Sequence, residues 1–320
     1  MIKRIAVLTT GGDAPGMNPA IRSVVRYGIS QKLEVMGVFR GWWGLINEEL
    51  KALDHRSVSG IINQGGTILK TARCPEFRTE EGQARAYENI KKYKIDALVV
   101  IGGNGSFSAA HEFYKKYKVP TVGIAASIDN DVNGIDYTIG TDTAINTALD
   151  AIDKIRDTAT SMERIFVVEV MGRESGFIAL TVALAGGCED VIIPEKELNL
   201  DAICHDIVHG NLVGKMSWII VVAEGAGKAE DIANKITEIT SLETRAVVLG
   251  HVQRGGRPTA VSRDLALNLG KSAVDCLMEG KTDIALGLVG GKIVEVDFEV
   301  TIKKKELKFD RFYNLVKTLT

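Results

Sequence analysis

Short apolar runs alternate with longer stretches of helical periodicity along most of the chain. Between the runs, apolar residues recur at helical spacing, as Ile145, Leu149 and Ile152 do within 139–159. Such alternation favours parallel sheets covered by helices on both faces. The runs form two clusters, around 4–124 and 165–250, which predicts two α/β domains. The predicted strands are 4–9, 33–39, 96–102, 119–124, 165–171, 190–194, 217–223 and 245–250.

Composition narrows the class of protein. The chain has 320 residues, of which 45% are hydrophobic and 25% charged, with a formal net charge of -2. These values are typical of a globular protein, and they predict no general attraction to nucleic acid or membranes. No apolar run has the length of a membrane span or of a signal-peptide core, so we expect a soluble cytoplasmic protein. The widely spaced cysteines are expected to be reduced thiols: Cys74, Cys188, Cys204 and Cys276.

The first glycine-rich segment, TTGGDAPGMN (9–18), follows the first predicted strand. Ligands of open α/β sheets bind beyond the carboxyl ends of the strands. Gly11 and Gly12 permit close backbone approach to a ligand, although a plain strand-to-helix turn is the alternative. The pattern G-x-x-x-x-G-K-[ST] occurs nowhere in the sequence, which excludes a P-loop.

A second glycine cluster, IGGNGS (101–106), follows the apolar run 96–101. A strand that ends in glycines can deliver backbone amides to a phosphate, but many ordinary turns share this pattern. Its strongly polar side chain, Asn104, carries no charge. The sequence therefore leaves open what would hold a metal ion here.

Two carboxylates flank an asparagine in SIDNDV (127–132), directly after the predicted strand 119–124. In an extended chain Asp129 and Asp131 would point to opposite sides, which predicts different roles. One could accept a proton from a hydroxyl nucleophile, and the other could bind a metal or orient its neighbour. A solvated acidic turn is the alternative.

Three arginines stand beside glycine-containing segments, and we expect them at the ends of strands. Arg73, Arg173 and Arg254 could each fork onto phosphate oxygens, which predicts an anionic substrate. Surface ion pairs are the alternative reading of each one.

The pair His205 and His209 has the spacing of a helical metal site. It lacks the glutamate of H-E-x-x-H, and its surroundings fit an amphipathic helix. We therefore predict a solvated helix face.

Taken together and in order, these segments resemble bacterial 6-phosphofructokinase over essentially the whole chain. The matching segments are GGDAPGMN, GGTILKTARCPEF, GGNGS, SIDND, AIDKIRDTATS, MGRESG, LAGGCE and LGHVQRGGRPT. The resemblance implies two α/β sandwich domains with largely parallel sheets, in a homotetramer whose active sites are shared between subunits. The ATP domain would comprise 1–140 with 253–303, and the fructose 6-phosphate domain 141–252 with 304–320.

The resemblance also implies roles for matching residues. Asp129 would be the general base on the sugar 1-hydroxyl, with Ser127 binding phosphate or substrate and Asp131 helping with Mg²⁺. Arg173 and the Gly12 amide would stabilise the transferring phosphoryl group. ATP would be lined by Gly12, Arg73, Cys74, Arg78, Gly103, Asn104, Gly105 and Ser106. Fructose 6-phosphate would be held by Ser127, Asp129, Met171, Gly172, Arg173, Glu224, His251 and Arg254, with Arg164 and Arg245 from a neighbouring subunit. Effector residues would be Arg22, Arg26, Arg156, Gly187, Glu189 and Lys215.

Some positions depart from the family pattern. Asn104 replaces an aspartate that helps to hold Mg²⁺; two charges ~4 Å apart at a dielectric of ~20 interact by about 4 kcal/mol, so the reaction would be slowed. Restoring aspartate there is predicted to raise the Mg²⁺-dependent rate. The remaining departures are Trp42, Ala109 and the AAS stretch 125–127, with His55, Gly60 and Val213 at the effector site. Control by ADP or phosphoenolpyruvate is therefore left open.

The leading hypothesis is an ATP-dependent kinase that makes fructose 1,6-bisphosphate and ADP in glycolysis. A pyrophosphate-dependent enzyme is less favoured, because Gly105 and Ala126 are small and leave the adenosine side open. A catalytically weakened regulatory paralogue that binds nucleotide or sugar phosphate is the other alternative. Asn104 supports that paralogue, whereas the retained Asp129 and Arg173 oppose it.

Overall fold

The computed structural model describes residues 2–306 and 309–319. The strands are β1 (Arg4–Thr9), β2 (Glu34–Val38), β3 (Leu50–Leu53), β4 (Ala97–Gly102), β5 (Thr121–Ser127), β6 (Ile139–Gly140), β7 (Ile165–Val170), β8 (Asp190–Ile192), β9 (Trp218–Ala223), β10 (Thr244–Val248), β11 (Ile284–Val289) and β12 (Lys292–Asp297). The helices are α1 (Met17–Ser30), α2 (Gly41–Ile46), α3 (Glu80–Lys92), α4 (Asn104–Tyr117), α5 (Thr141–Met162), α6 (Phe177–Ala185), α7 (Leu200–Leu212), α8 (Ala229–Thr240), α9 (Ala260–Met278), α10 (Phe298–Thr301) and α11 (Asp310–Leu319). Short 3₁₀ turns cover Pro75–Arg78 and Gly250–Arg254.

The chain forms two compact units, each made of two pieces of sequence. The first unit is Met1–Thr143 with Arg254–Lys305, and the second is Ala144–Gln253 with Glu306–Thr320. Residues 1, 307, 308 and 320 of the two predicted domains lie outside the described residues. Which unit binds ATP and which binds the sugar phosphate stays a prediction at this point.

Each unit is built on a largely parallel sheet flanked by helices, which confirms the predicted fold class. The first unit has the strand order β12-β11-β5-β4-β1-β2-β3, with β6 beside β5. Its antiparallel pairs are β2 with β3 and β11 with β12, at the two edges. The second unit has the order β10-β7-β9-β8, and all its pairs are parallel.

The core of the first unit explains why its central strands are apolar on both faces. Every residue of β4 is buried. Leu98 and Val100 face a cluster that includes Phe107 of α4, and the intervening residues face the opposite side of the sheet. The Phe107 ring stacks on Phe298 with centroids 5.2 Å apart. This packing fixes α4 on the sheet and thereby the loop that precedes it.

No helix within residues 2–306 and 309–319 combines the length and the apolar character that crossing a membrane requires.

Candidate active site

Three loops of the first unit meet at one edge of its sheet. Strands β5, β4 and β1 are neighbours and run parallel, so their carboxyl ends lie side by side. The segments 10–13, 102–106 and 127–131 lie at the ends of these strands and are called loops below, although 102–106 includes the last residue of β4 and the first residues of α4. The sheet therefore gathers the two glycine clusters and the paired carboxylates, as the rule for open α/β sheets predicts.

The 102–106 loop is tied to the loop after β1. The Ser106 hydroxyl donates to the Thr10 carbonyl oxygen at 3.1 Å. A Cβ on Gly102 would lie 2.7 Å from that same oxygen, so only glycine fits there. Helix α4 begins directly after Gly103, and its first amides have no partners within the helix. This N-terminus can therefore bind an anionic group such as a phosphate.

Asn104 links the 102–106 loop to the carboxylate loop. Its side-chain Nδ2 donates to the Asp131 carbonyl oxygen at 3.0 Å. Its Oδ1 is buried, and no hydrogen-bond partner for it is present in the described part of the chain. A buried acceptor of this kind carries a desolvation cost that a bound cation would remove.

The carboxylate loop is a turn, so the predicted extended conformation of Asp129 and Asp131 is wrong. Ile128 and Asp129 lie in the turn, and Asn130 adopts the left-handed conformation with φ 52°. The Ser127 hydroxyl donates to Asp131 Oδ1 at 3.0 Å and accepts from the Asp129 amide at 3.3 Å. The turn buries Asp129, which is 3% exposed, whereas Asp131 is half-buried. Different environments for the two carboxylates follow from the turn itself.

Polar residues that sequence reasoning missed brace this turn. Asn130 Nδ2 donates to the Asp136 carbonyl oxygen at 2.7 Å, and Asn130 Oδ1 accepts from the Thr138 amide at 3.1 Å. The Thr138 hydroxyl donates to the Ser127 carbonyl oxygen at 2.6 Å. Asn130 therefore stabilises the turn by hydrogen bonds to both Asp136 and Thr138.

Arg254 belongs to the first unit and lies against the β1 loop. Its Nη1 donates to the Asp13 carbonyl oxygen at 3.2 Å. A Cβ on Gly12 would overlap Nη1 and would lie 3.2 Å from the Arg254 Cζ. The guanidinium thus occupies the space that the missing Gly12 side chain leaves.

The predicted nucleotide-side residues Arg73, Cys74 and Arg78 lie between β3 and α3. The expectation that Arg73 follows a strand is wrong, because this stretch is irregular up to the 3₁₀ turn. Phe77 anchors the segment by stacking on Trp42 with centroids 4.2 Å apart. Arg73 and Arg78 are exposed, whereas Cys74 is half-buried and burial raises its pKa. The two guanidinium groups are therefore accessible to an anion.

In the second unit, the loop after β7 carries several predicted substrate residues. The Gly172 and Arg173 amides donate to Glu224 Oε1 at 3.2 and 2.8 Å. The Met171 amide donates to Oε1 of the buried Gln253 at 2.8 Å. Glu224 and Gln253 therefore hold this loop, a role that the sequence did not reveal for either residue.

His251, another predicted substrate residue, lies in the 3₁₀ turn Gly250–Arg254 after β10 and is exposed. In the parallel sheet this turn and the loop after β7 leave from the same edge. The carboxyl edge of the second unit thus carries the residues Met171, Gly172, Arg173, Glu224 and His251.

Arg164 and Arg245 lie at the opposite, amino edge of the same sheet. Arg164 precedes β7 and donates through Nε to Glu243 Oε2 at 3.0 Å, while Arg245 Nη2 donates to Glu243 Oε1. The six residues of β7 separate Arg164 from Met171. Six residues of strand span about 20 Å. One small ligand cannot contact both edges of this sheet.

The predicted effector residues form one cluster in each unit. In the first, Arg22 Nη1 donates to the Val58 carbonyl oxygen at 2.7 Å; burial, helped by the charge of Arg26, lowers the pKa of Arg22. In the second, Arg156 Nη2 donates to the Gly187 carbonyl oxygen at 2.8 Å, and Lys215 Nζ lies 3.5 Å from Glu189 Oε1. His55 and Val213, the departures from the family pattern, are exposed.

His205 and His209 stack on α7 with ring centroids 6.5 Å apart, and the His205 side chain is 80% exposed. Nothing else in the structure adds a ligand to this pair: across 2–306 and 309–319, no three His, Cys, Asp or Glu side chains form a metal-binding group. The pair lies on a helix face in contact with solvent.

Comparison with known proteins places these features in context. The family model described as phosphofructokinase matches residues 4–277. An ATP-dependent 6-phosphofructokinase of Clostridium botulinum (strain Hall) is 51% identical over 319 residues, which covers 100% of both chains. The phosphofructokinase structure from Saccharomyces cerevisiae is 36% identical with a TM-score of 0.90, and the match covers 94% of this chain and 45% of the yeast chain. A pyrophosphate-dependent phosphofructokinase from Marinobacter aquaeolei shares the fold, with a TM-score of 0.87 at 21% identity over 99% of this chain and 91% of that one.

Proposed function

The chain belongs to the phosphofructokinase family, and from that membership we propose that it transfers the γ-phosphoryl group of ATP to the 1-hydroxyl of fructose 6-phosphate. The observation that carries this function is the meeting of the loops after β1, β4 and β5 at one edge of the sheet. Phosphoryl transfer needs mainly positioning and charge neutralisation; these loops supply backbone amides and carboxylates, and the Arg254 guanidinium lies against the β1 loop. The regulatory-paralogue alternative is not favoured.

Asp129 is the proton acceptor in this proposal. Its carboxylate lies in a turn braced by Ser127 and Asn130, so its position does not depend on a flexible loop. A carboxylate within hydrogen-bond reach of the 1-hydroxyl takes that proton as the oxygen attacks phosphorus. The fixed turn keeps this acceptor in place before substrate arrives, which reduces the cost of orienting it.

The ATP phosphates meet fixed dipoles and positive charge. The N-terminus of α4 offers its first amides, and open space surrounds the position that a Cβ on Gly105 would take. Gly12 offers its amide, and exposed Arg73 and Arg78 offer guanidinium groups. For Arg173 we propose the role that the family resemblance implies, which is to neutralise charge on the transferring group.

Mg²⁺ suits the oxygen atoms available in the first unit. Asn104 Oδ1 and the Asp131 carboxylate would hold it, and the unsatisfied Asn104 oxygen is the observation that fits a cation. When bound, Mg²⁺ neutralises phosphate charge and orients the phosphates. Asn104 contributes no charge, so the chain itself holds the ion more weakly than two carboxylates would.

Replacing Asn104 with aspartate is expected to raise the rate at limiting Mg²⁺. The added charge should tighten divalent-cation binding by about tenfold, even after the Nδ2 bond to Asp131 is lost. Initial rates across a Mg²⁺ titration measure the first effect. Binding of Mn²⁺ without nucleotide, followed by electron paramagnetic resonance, measures the second.

Asn268→Asp provides the matched control, because it makes the same change on an exposed face of α9. We expect its Mg²⁺ titration to coincide with that of the wild type. An unchanged or lower rate for Asn104→Asp at limiting Mg²⁺ would contradict the metal role of this position.

Fructose 6-phosphate is proposed to bind at the carboxyl edge of the second unit. Met171, Gly172, Glu224 and His251 would hold it there, with Glu224 also fixing the loop after β7. For Arg254 we propose the substrate role that the family resemblance implies. Arg164 and Arg245 lie at the other edge, so they would act on substrate bound by a neighbouring copy. Sharing of active sites between copies follows from this proposal, and for the number of copies we propose the homotetramer that the family resemblance implies.

Regulation and location also stay proposals. The two arginine-containing clusters would bind an anionic effector such as ADP or phosphoenolpyruvate. Binding of that effector would be weaker than is usual in the family, because the exposed Val213 stands where a lysine is usual. A cytoplasmic location is proposed from the similarity to ATP-dependent 6-phosphofructokinases.

One assay tests the proposed function. Purified protein is incubated with fructose 6-phosphate, Mg²⁺ and either ATP or pyrophosphate, and fructose 1,6-bisphosphate is measured. We expect product when ATP is the phosphoryl donor and no product when pyrophosphate is the donor. Product only in the pyrophosphate reaction would identify pyrophosphate as the phosphoryl donor. No product in either reaction would overturn the kinase function.

A further inference from the structure

A lysine near the end of the first unit donates to the backbone of the carboxylate loop. Lys305 Nζ donates to the Asn130 carbonyl oxygen at 2.9 Å and to the Ile135 carbonyl oxygen at 2.6 Å. Lys305 lies beyond residue 277, where the family-model match ends. Its ammonium therefore contacts the peptide that joins Asn130 to Asp131 from a part of the chain beyond the family-model match.

The backbone around this contact is irregular and needs outside partners. Asn130 adopts a left-handed conformation with φ 52°, so its carbonyl is not part of a strand or helix ladder. Buried backbone carbonyls need a donor, and Lys305 supplies one to this carbonyl. The neighbouring segment also contacts the loop, because Lys304 forms an antiparallel bridge with Val132 and Val300 accepts from Asn133 Nδ2 at 3.1 Å.

The charge of Lys305 also suits its surroundings. Its side chain is half-buried, and desolvation lowers its pKa, whereas the nearby carboxylates of Asp136 and Asp131 oppose that fall. A hydrogen bond from a charged donor to a carbonyl is stronger than one between neutral groups. The ammonium thus holds two carbonyls and partly offsets the negative charge of Asp131.

We propose that Lys305 is a positioning residue for phosphoryl transfer, which holds the Asn130 peptide so that the carboxylates of Asp129 and Asp131 keep their places. Asn104 holds the next carbonyl of the same backbone, that of Asp131. The peptides on either side of Asp131 are thus each held by a side chain from a distant part of the sequence. The expected effect on catalysis rests on the proposed kinase function. The expected effect on the conformation of the carboxylate loop does not.

Lys305→Met tests the catalytic consequence. It keeps an aliphatic stem of similar length and removes the charge and the donors. We expect kcat to fall by about tenfold to a hundredfold, with KM for both substrates within twofold, because the substrates still bind but the proton acceptor is misplaced. Lys303→Met is the matched control, since Lys303 is exposed two residues earlier, and we expect wild-type kinetics from it.

Lys305→Gln keeps N–H donors without the charge and is expected to fall between these two variants. Lys305→Gln also replaces Lys305→Met as the test variant if Lys305→Met does not fold. A kcat for Lys305→Met within twofold of the Lys303→Met value would overturn the proposal, and where Lys305→Met does not fold, the same result for Lys305→Gln would overturn it. A loss confined to KM would overturn it as well.

Hydrogen exchange separates this inference from the proposed function. The Thr138 amide donates to Asn130 Oδ1, and the Asp136 amide donates to the Leu288 carbonyl oxygen. We expect peptides covering 128–138 to exchange at least tenfold faster in Lys305→Met than in Lys303→Met. Equal exchange would overturn the positioning role, whether or not the wild type makes product. A wild type without product would overturn only the kinase function, and the exchange comparison would still decide the structural role.

Discussion

Replacing Asp129 with asparagine is expected to lower kcat by about 10² to 10⁴-fold, the contribution typical of a positioned general base. Asparagine has nearly the same shape, and the bond from the residue 129 amide to the Ser127 hydroxyl does not involve the side chain. The turn should therefore persist in the variant. What disappears is the group that takes the proton from the sugar hydroxyl.

The loss should appear in turnover and not in substrate affinity. Removing one negative charge from a site that binds two anionic substrates does not weaken their binding, so KM for fructose 6-phosphate should be unchanged or lower. Steady-state kinetics with saturating ATP and Mg²⁺ measure both constants. Thermal unfolding of the same sample checks that the fold is retained.

Asp264→Asn is the control for this experiment. Asp264 is exposed on α9 in the same unit, and the variant makes the same chemical change. We expect its kcat to match that of the wild type. If Asp129→Asn kept more than a tenth of the wild-type kcat, another residue or water would be the proton acceptor.

Strands that are buried on both faces could be read directly from the sequence. Strands such as β4 and β9 are continuous apolar runs with every residue buried, so hydrophobicity alone identified them. The edge strands β8 and β10 of the second unit were predicted, whereas the strands β3 and β12 at the edges of the first unit were missed, and so was β11 beside β12. β3 and β12 carry exposed residues along their length because they pair on one side only, and the antiparallel edge β11–β12 was not predicted. Half-exposed edges leave a weak apolar signal.

The candidate site was predictable where a motif lies next to a strand end. The loops after β1, β4 and β5 could be placed together because the carboxyl ends of parallel strands meet at one edge. Contacts made across long stretches of sequence could not be predicted in this way. Gln253 is a buried side chain that accepts from the Met171 amide, and Lys305 reaches Asn130 across 175 residues.

Asn104 shows how a correct reading of charge can still be incomplete. The sequence showed that a carboxylate is missing at this position. It could not show that the amide Nδ2 donates to the Asp131 carbonyl oxygen, which aspartate could not do. A side chain with both a donor and an acceptor therefore joins the 102–106 loop to the carboxylate loop. This side chain lacks the negative charge that an aspartate would bring to the same position.

Gly12→Ala is expected to lower kcat/KM for fructose 6-phosphate by about a hundredfold while leaving the fold intact. The new Cβ would overlap Arg254 Nη1, so the guanidinium must move away from the β1 loop. A displacement of about 1 Å in a positioning group can cost about 10²-fold in rate. Stability should stay within about 1 kcal/mol of the wild type, because the overlapping atom ends a flexible side chain and Gly12 does not need a positive φ. Steady-state kinetics and thermal unfolding measure the two effects.

A double-mutant cycle with Arg254→Ala tests whether the effect of Gly12→Ala passes through the guanidinium. When the guanidinium is absent, the added methyl group has nothing to displace, so Gly12→Ala should cost less than about threefold on the Arg254→Ala background. A cost that stays a hundredfold on both backgrounds would mean that the methyl group acts on the Gly12 amide itself. The cycle therefore distinguishes the two contributions proposed for this loop, namely its backbone donor and the room it leaves for Arg254.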